Sequence, residues 1–385
     1  MKALKNVFRK GKTVIVLSDL HLGAGEMINE KRNLLEDFFF DRELINLFKY
    51  FSNGMYEDRT VEIVLNGDFL DFLATPYVDA FEDTFWSEHV ANKKLEMIRE
   101  AHREVFIALN NFLKKKDKFF VYNVGNHDAE ILLPKVREKF LSFFTEDAQK
   151  NILFPASDVY SPLNGVYIQH GHQYERAHDF DVTNAIIVDN DGTNYIRPTW
   201  GAYYCLNVIN KYKIERSYIN QIQPIKKFLI HGLLYDALFT LRFMFSNATF
   251  FIMVRLFLWS YYLKNFNLKS IIYDFKNELV MFQNFETLTR KFFTSTPDAK
   301  VLLTGHTHHP TFRHFKDGTT FINTGTWTKI ISLDFSFNFN GYHLTFAMID
   351  ADQTEYELEN FNKHVQCHLL VWQGDKSLPY TDYFH

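Results

Sequence analysis

Apolar, β-branched runs that give way at once to small or charged residues recur through the first 170 positions. Thr13–Leu17 and Val61–Leu65 are two such runs, each ending directly in an Asp-bearing loop, and their composition predicts strands. Phe119–Val124 and Val166–Gln169 repeat the pattern. Between residues 90 and 112, Ile98, Ala101, Val105, Ala108, Leu109 and Phe112 recur at helical spacing with charges between them, which predicts one amphipathic helix. Lys114-Lys115-Lys116 closes it as a solvated last turn favoured by the helix dipole. Strand and helix in alternation predict a largely parallel sheet with helices outside it and ligands gathered where the strands end.

The pattern changes from residue 176 to 297. Lys226–Asn265 is dense in Phe, Leu, Tyr and Met, broken by Asp236, Arg242 and Arg255. This predicts a helical insertion, read either as a lid over the site or as a subdomain packing its own core or a dimer interface. Thr249–Leu263, with Arg255 inside, suits a buried or interfacial helix better than a membrane span. Strand patterns resume at Val301–Thr304, Thr319–Asn323 and Lys329–Asp334, and Asn340-Gly341 predicts a two-residue hairpin turn. The expected organisation is a core of 1–175 and 298–372, an insertion of 176–297 and a polar tail of 373–385.

Composition narrows the class. Apolar residues make up 46% of 385, enough for a full core. The net charge of −4 gives no general attraction for nucleic acid. Two cysteines make no disulfide framework and suit a reducing compartment. Lys2, Lys5, Arg9 and Lys12 precede too short an apolar run for a signal peptide. The expected location is cytoplasmic, without a membrane span but with room for peripheral membrane contact through the insertion.

Five short pieces carry the chemistry: Ser18-Asp19-Leu20-His21, Asn66-Gly67-Asp68-Phe69-Leu70-Asp71, Gly125-Asn126-His127-Asp128, His170-Gly171-His172 and Gly305-His306-Thr307-His308. Asp19 and His21 stand two apart, so on an extended strand they project from one face about 7 Å apart. Gly67 lets the chain turn after a strand and present Asp68, whose carboxylate can bridge two ions. Asn126 is a neutral oxygen donor suited to a site already rich in negative charge. His306, His308 and His309 place three imidazoles within four residues, and each would need a partner if merely buried. Imidazole, carboxylate and amide oxygen together suit divalent metals, and paired ions about 3.5–4 Å apart form a clamp for phosphoryl chemistry.

In these pieces the chain resembles the calcineurin-like metallophosphoesterase superfamily, whose series is D-x-H, G-D-x-x-D, G-N-H-D/E, H and G-H-x-H. The resemblance implies a four-layer α/β/β/α sandwich of two mixed sheets. It implies one metal on Asp19, His21, Asp68 and His308, and a second on Asp68, Asn126, His170 and His306. His127 would face the substrate with Asp71 orienting it, and His172 is spare and free to contact a phosphate oxygen. The implied ions are manganese in first place, with zinc, iron, cobalt or nickel as alternatives. The implied reaction is attack of a metal-bridging hydroxide on a phosphodiester or pyrophosphate. Phe72 and Leu73 stand where the protein phosphatases of the superfamily have Arg-Gly, which speaks against a phosphoprotein substrate. Ser-Asp-Leu-His-Leu and Gly-Asp-Phe-Leu-Asp-Phe look most like the UDP-2,3-diacylglucosamine pyrophosphatase branch, in which a helical insertion holds acyl chains and Arg commonly stands at the position of His127. A phosphorylated small-molecule or lipid substrate follows from this reading, and the alternative reading of the insertion as a dimer interface allows a homodimer. Two alternatives remain: a nuclease of the same superfamily, and a non-catalytic scaffold such as a retromer subunit.

Overall fold

The computed structural model describes residues 11–79, 82–175, 177–223, 225–262, 285–333, 340–374 and 377–380. Lys12–Leu17 shows how the sequence builds the fold. Its residues alternate between two buried faces, as the period of a strand requires. Ile15 and Leu17 pack among the helices, whereas Val14 and Val16 pack toward a second sheet. A strand buried on both sides reads as a continuous apolar run, which is why Thr13–Leu17 stands out in the sequence.

Lys12–Leu17 pairs in parallel with Thr60–Asn66, which pairs in parallel with Lys118–Asn123 and that in turn with Ile152–Leu153. On its other side it pairs antiparallel with Thr345–Ala351, followed by Val365–Trp372 and Ser377–Pro379. A second sheet of five strands runs Thr311–His314, Thr320–Asn323, Val301–Thr304, Val166–Ile168 and Tyr160–Leu163. Val64, Val121, Ile168, Leu303 and Ile349 fill the space between the sheets. Asp41–Tyr50, Glu88–Ala101 and Arg103–Leu113 cover the outer face of the first sheet through Leu47, Leu95 and Leu109. Phe292 of Phe285–Ser295 meets Tyr167 on the second sheet. The sandwich of two mixed sheets with helices outside is therefore present.

Several local expectations are corrected. The single helix over 90–112 is two helices that break at His102, whose imidazole bonds Asp41 Oδ1 at 2.8 Å. Asn340-Gly341 is not a turn: the pair forms a short antiparallel ladder with Ile330 and Ile331. Lys329–Asp334 is a strand over Ile330–Ser332, and Asp334 lies outside the described residues. The expected polar tail contributes an edge strand, Ser377–Pro379, and 381–385 lie outside the described residues.

The segment expected as a helical insertion also holds a β-hairpin, Ile186–Val188 with Asn194–Ile196. Its main helices are Ile225–Tyr235 and Ala237–Tyr262. Ala237–Tyr262 runs straight through Arg242 and Arg255, and its window Ala237–Val254 is long and apolar enough to cross a membrane by length and composition. Phe243 packs on Tyr212, Phe228 and Phe239 in the insertion's own core. Phe250 lies against Tyr204, and the side chain of Phe257 lies outside the described residues.

Candidate metal centre and active site

Every one of the five sequence pieces lies at or just beyond the end of a strand. The backbone there is strained on purpose of geometry: Asp19, His21, Asp68, His306 and His308 all have positive φ, between 52° and 66°. They are five of the eight non-glycine residues in that region among the described residues. Such conformations cost about 1–3 kcal/mol each and persist only where surroundings enforce them. Here two adjacent backbones are stitched together: His21 N–H donates to Asp68 O at 2.9 Å and Asp19 N–H to Gly67 O at 3.1 Å. Gly125 is required by close approach, since a β-carbon there would collide with Asp68 Oδ1.

The donors form two sets joined by one carboxylate. In the first, His308 Nε2 lies 3.3 Å from Asp19 Oδ1 and 3.2 Å from His21 Nε2. In the second, His170 Nε2 lies 3.2 Å from Asn126 Oδ1 and 3.4 Å from Asp68 Oδ2, and His306 completes a cluster with Asp68 and His170. The same Asp68 Oδ2 stands 3.8 Å from His21 Nε2. Asp68 thus sits between an imidazole of each set. Neighbouring donors on one ion, with bonds of about 2.1 Å, stand about 3 Å apart, so the donor types and their spacing fit a pair of divalent ions. Two imidazole nitrogens facing each other at 3.2 Å are also what a shared cation would reconcile.

Tautomers are set by partners behind the rings. His170 Nδ1–H donates to Asn66 O at 2.8 Å, leaving Nε2 for the site. Asp71 does the same for two rings. Its Oδ2 faces His21 Nδ1 and its Oδ1 faces His127 Nδ1, both at 3.1 Å, while Ala74 N–H donates to Oδ1 at 2.8 Å. Asp128 locks the loops and does not join the donor sets. It accepts from Gly125 N–H, Phe69 N–H and the Tyr122 hydroxyl.

Electrostatics follow from this crowding. Burial penalises charge throughout, yet the neighbouring rings hold the carboxyl of Asp71 far below the usual carboxylate range. Burial would lower the His127 imidazole, but Asp71 and Asp68 outweigh it and raise it well above 6.5. His170 is pushed up to about 9, against burial, by Asp68 and Asp19.

Two residues without a motif join the site. His178, lowered to about 4 by burial, lies with Nδ1 3.3 Å from Asn126 Nδ2 and so orients the amide oxygen toward His170. Glu175 Oε2 bonds His306 Nε2 at 2.6 Å. His172, expected at the substrate, is only 1% exposed, stacks on Phe180 and leaves both ring nitrogens without a hydrogen-bond partner. It lies behind His170 and does not line the cavity, so the contact with a phosphate oxygen is corrected. The cavity is about 200 Å³. His21, Asp71, His127 and His308 form one side, and Tyr204, Cys205 and Asn210 of the insertion form another. The last two lie on a π-helical turn, Cys205–Asn210, a form frequent at functional sites.

Residues 12–310 match the family described as calcineurin-like phosphoesterase. The chain is also similar to vacuolar protein sorting 29 from Cryptosporidium parvum, at 13% identity and a TM-score of 0.31, covering 96% of this chain and 95% of that one. A conserved uncharacterized protein from Streptococcus pneumoniae TIGR4, described as a predicted phosphoesterase, is similar at 11% identity and a TM-score of 0.29, covering 96% and 98%. These two likenesses are too distant to add to the family match. No curated protein matches the chain.

Proposed function

The chain belongs to the calcineurin-like phosphoesterase family, hydrolases of phosphate esters, and from that premise we propose that it cleaves a phosphodiester or pyrophosphate at a pair of divalent ions. The substrate is lipid-linked or nucleotide-linked, and manganese is the first metal to test. The observation that carries this reading is Asp68 Oδ2, set between His21 of one donor set and His170 of the other.

Asp19, His21, His308 and Asp68 would hold one ion, and Asp68, Asn126, His170 and His306 the other. Such ions supply charge neutralisation for phosphate oxygens and water acidified to near-neutral pKa. The protein's own groups do the rest. Asp71 keeps the Nδ1 proton on His127, whose ring lines the cavity. Its raised proton affinity suits it to protonate the leaving oxygen as a general acid. Tyr204, Cys205 and Asn210 of the insertion line the same cavity. At about 200 Å³ the space is below the roughly 300–1,000 Å³ of pockets that enclose a whole drug-sized ligand. It therefore suits the phosphoryl end of a substrate whose remainder lies outside.

The test is a panel of phosphomonoester, phosphodiester, nucleotide pyrophosphate and lipid pyrophosphate substrates with Mn²⁺. Faster turnover of diester or pyrophosphate than of monoester is expected. Preference for the monoester, or cleavage of DNA above all others, would overturn the proposal.

A further inference from the structure

The insertion carries an apolar surface that the phosphoesterase reading does not use. Ile225–Tyr235 and Ala237–Tyr262 pack as a hairpin, with Gly232 letting Thr240 approach closely. The inner face of the longer helix, Phe239 and Phe243, is already covered by Tyr212 and Phe228. Its outer face is as apolar as its inner one. Leu238 is 73% exposed, Phe245 71% and Met253 68%, and at the hairpin tip Leu234 is 72% and Tyr235 87% exposed. Leu241 and Ile252 extend the same ridge. Helices apolar all round are buried on all sides, and a contiguous patch of this kind marks an interaction surface.

Charge identifies the occupant. Residues 200–262 carry seven lysines and arginines against only Glu215 and Asp236, in a chain whose net charge is −4. Arg216 and Arg242 pair with those two acids and Lys213 pairs with Asp37 of the core, so the positive excess of the segment rests on its other lysines and arginine. A second copy docking through this face would bring two positive surfaces together. An anionic lipid surface meets both properties at once, since basic side chains attract lipid phosphates and an apolar helix face with an exposed tyrosine enters the interface. We propose that this hairpin lies in the surface of an anionic membrane, outer face down. It lies on the bilayer and does not cross it, because its inner face is occupied by the insertion's own aromatic core. Tyr204 bonds Asn247 of the same helix at 2.7 Å and lines the catalytic cavity, so docking would hold that cavity close to the lipid headgroups.

The experiment floats the full chain with vesicles of phosphatidylcholine alone or with three parts in ten phosphatidylglycerol. The protein is expected to float with the anionic vesicles, more weakly with the neutral ones, and less as salt rises. The double variant Leu234→Glu/Leu238→Glu should lose at least about tenfold in bound fraction, given the apolar area removed from lipid. Tyr235→Ser, at so exposed a position that folding is spared, should lose severalfold and keeps the test decisive if the double variant does not fold. Hydrolysis of soluble bis(p-nitrophenyl) phosphate should be unchanged in both. No flotation with either vesicle overturns the proposal. So does a wild-type dimer in light scattering that the variants dissociate, which would make the ridge a subunit interface. Absence of hydrolysis in every form would count against the phosphoesterase reading and leave the vesicle result standing.

Discussion

The core and the insertion invert each other's surface chemistry. In the core, Asp19, Asp68 and His170 are buried polar groups, each held by named partners, and Asp19, Asp68 and three residues around them accept left-handed backbone. In the insertion, Leu234, Leu238 and Phe245 are apolar and stand in water. Both arrangements are costly in isolation. A cost maintained by a folded chain points to what is added when it works: cations between the carboxylates and imidazoles in one region, and lipid against the ridge in the other.

Substitutions can break this contrast from the core side first. Asp71 holds two rings, so Asp71→Ala should reduce kcat/KM more than His127→Ala does, and should also weaken metal binding through His21. His127→Ala should leave metal content unchanged and reduce turnover by about 10²–10⁴, with a smaller loss for p-nitrophenol leaving groups. Loss of metal in His127→Ala would move that ring into the donor sets. From the insertion side, Phe243→Ala should destabilise by about 3–5 kcal/mol in denaturant melts, the usual range for a buried aromatic. It should leave the metal count of the folded fraction intact, and an unchanged melt would contradict the packed core described for it.

A gentler probe is pH. In the metal-free protein His170, pushed to about 9, holds a proton at neutral pH. Metal must displace it, so apparent affinity should rise about tenfold per pH unit for each proton released, and level off above about 9. Flat affinity between pH 6 and 8 in a calorimetric titration would contradict the tautomer and charge state assigned to this ring.

The strands and the donor residues were legible because chemistry sits where apolar runs end: Leu17, Leu65 and Thr304 each lead straight into a ligand-bearing loop. The second partner of Asp71 was not legible, because His21 lies 50 positions away and only the crossing of two loops joins them. His178 and Glu175 follow no motif. They stand close after His170, and that proximity was the only signal. The hairpin at 186–196 did carry a signal, Asp191-Gly192 between two β-rich runs, which the density of aromatic residues around it obscured. The length of the helix Ala237–Tyr262 was not legible, because Arg242 interrupts the apolar run in sequence. In the fold that side chain pairs with Glu215 at the edge of the apolar face.

The central claim is that Asp68 serves two ions. Counting metal by plasma mass spectrometry in Mn²⁺-loaded, gel-filtered protein tests it directly, with turnover measured on the same samples. Two ions per chain are expected in the wild type, and fewer than two with no measurable turnover in Asp68→Asn. A wild type saturating at one ion, or an Asp68→Asn variant holding two ions at full activity, would contradict it.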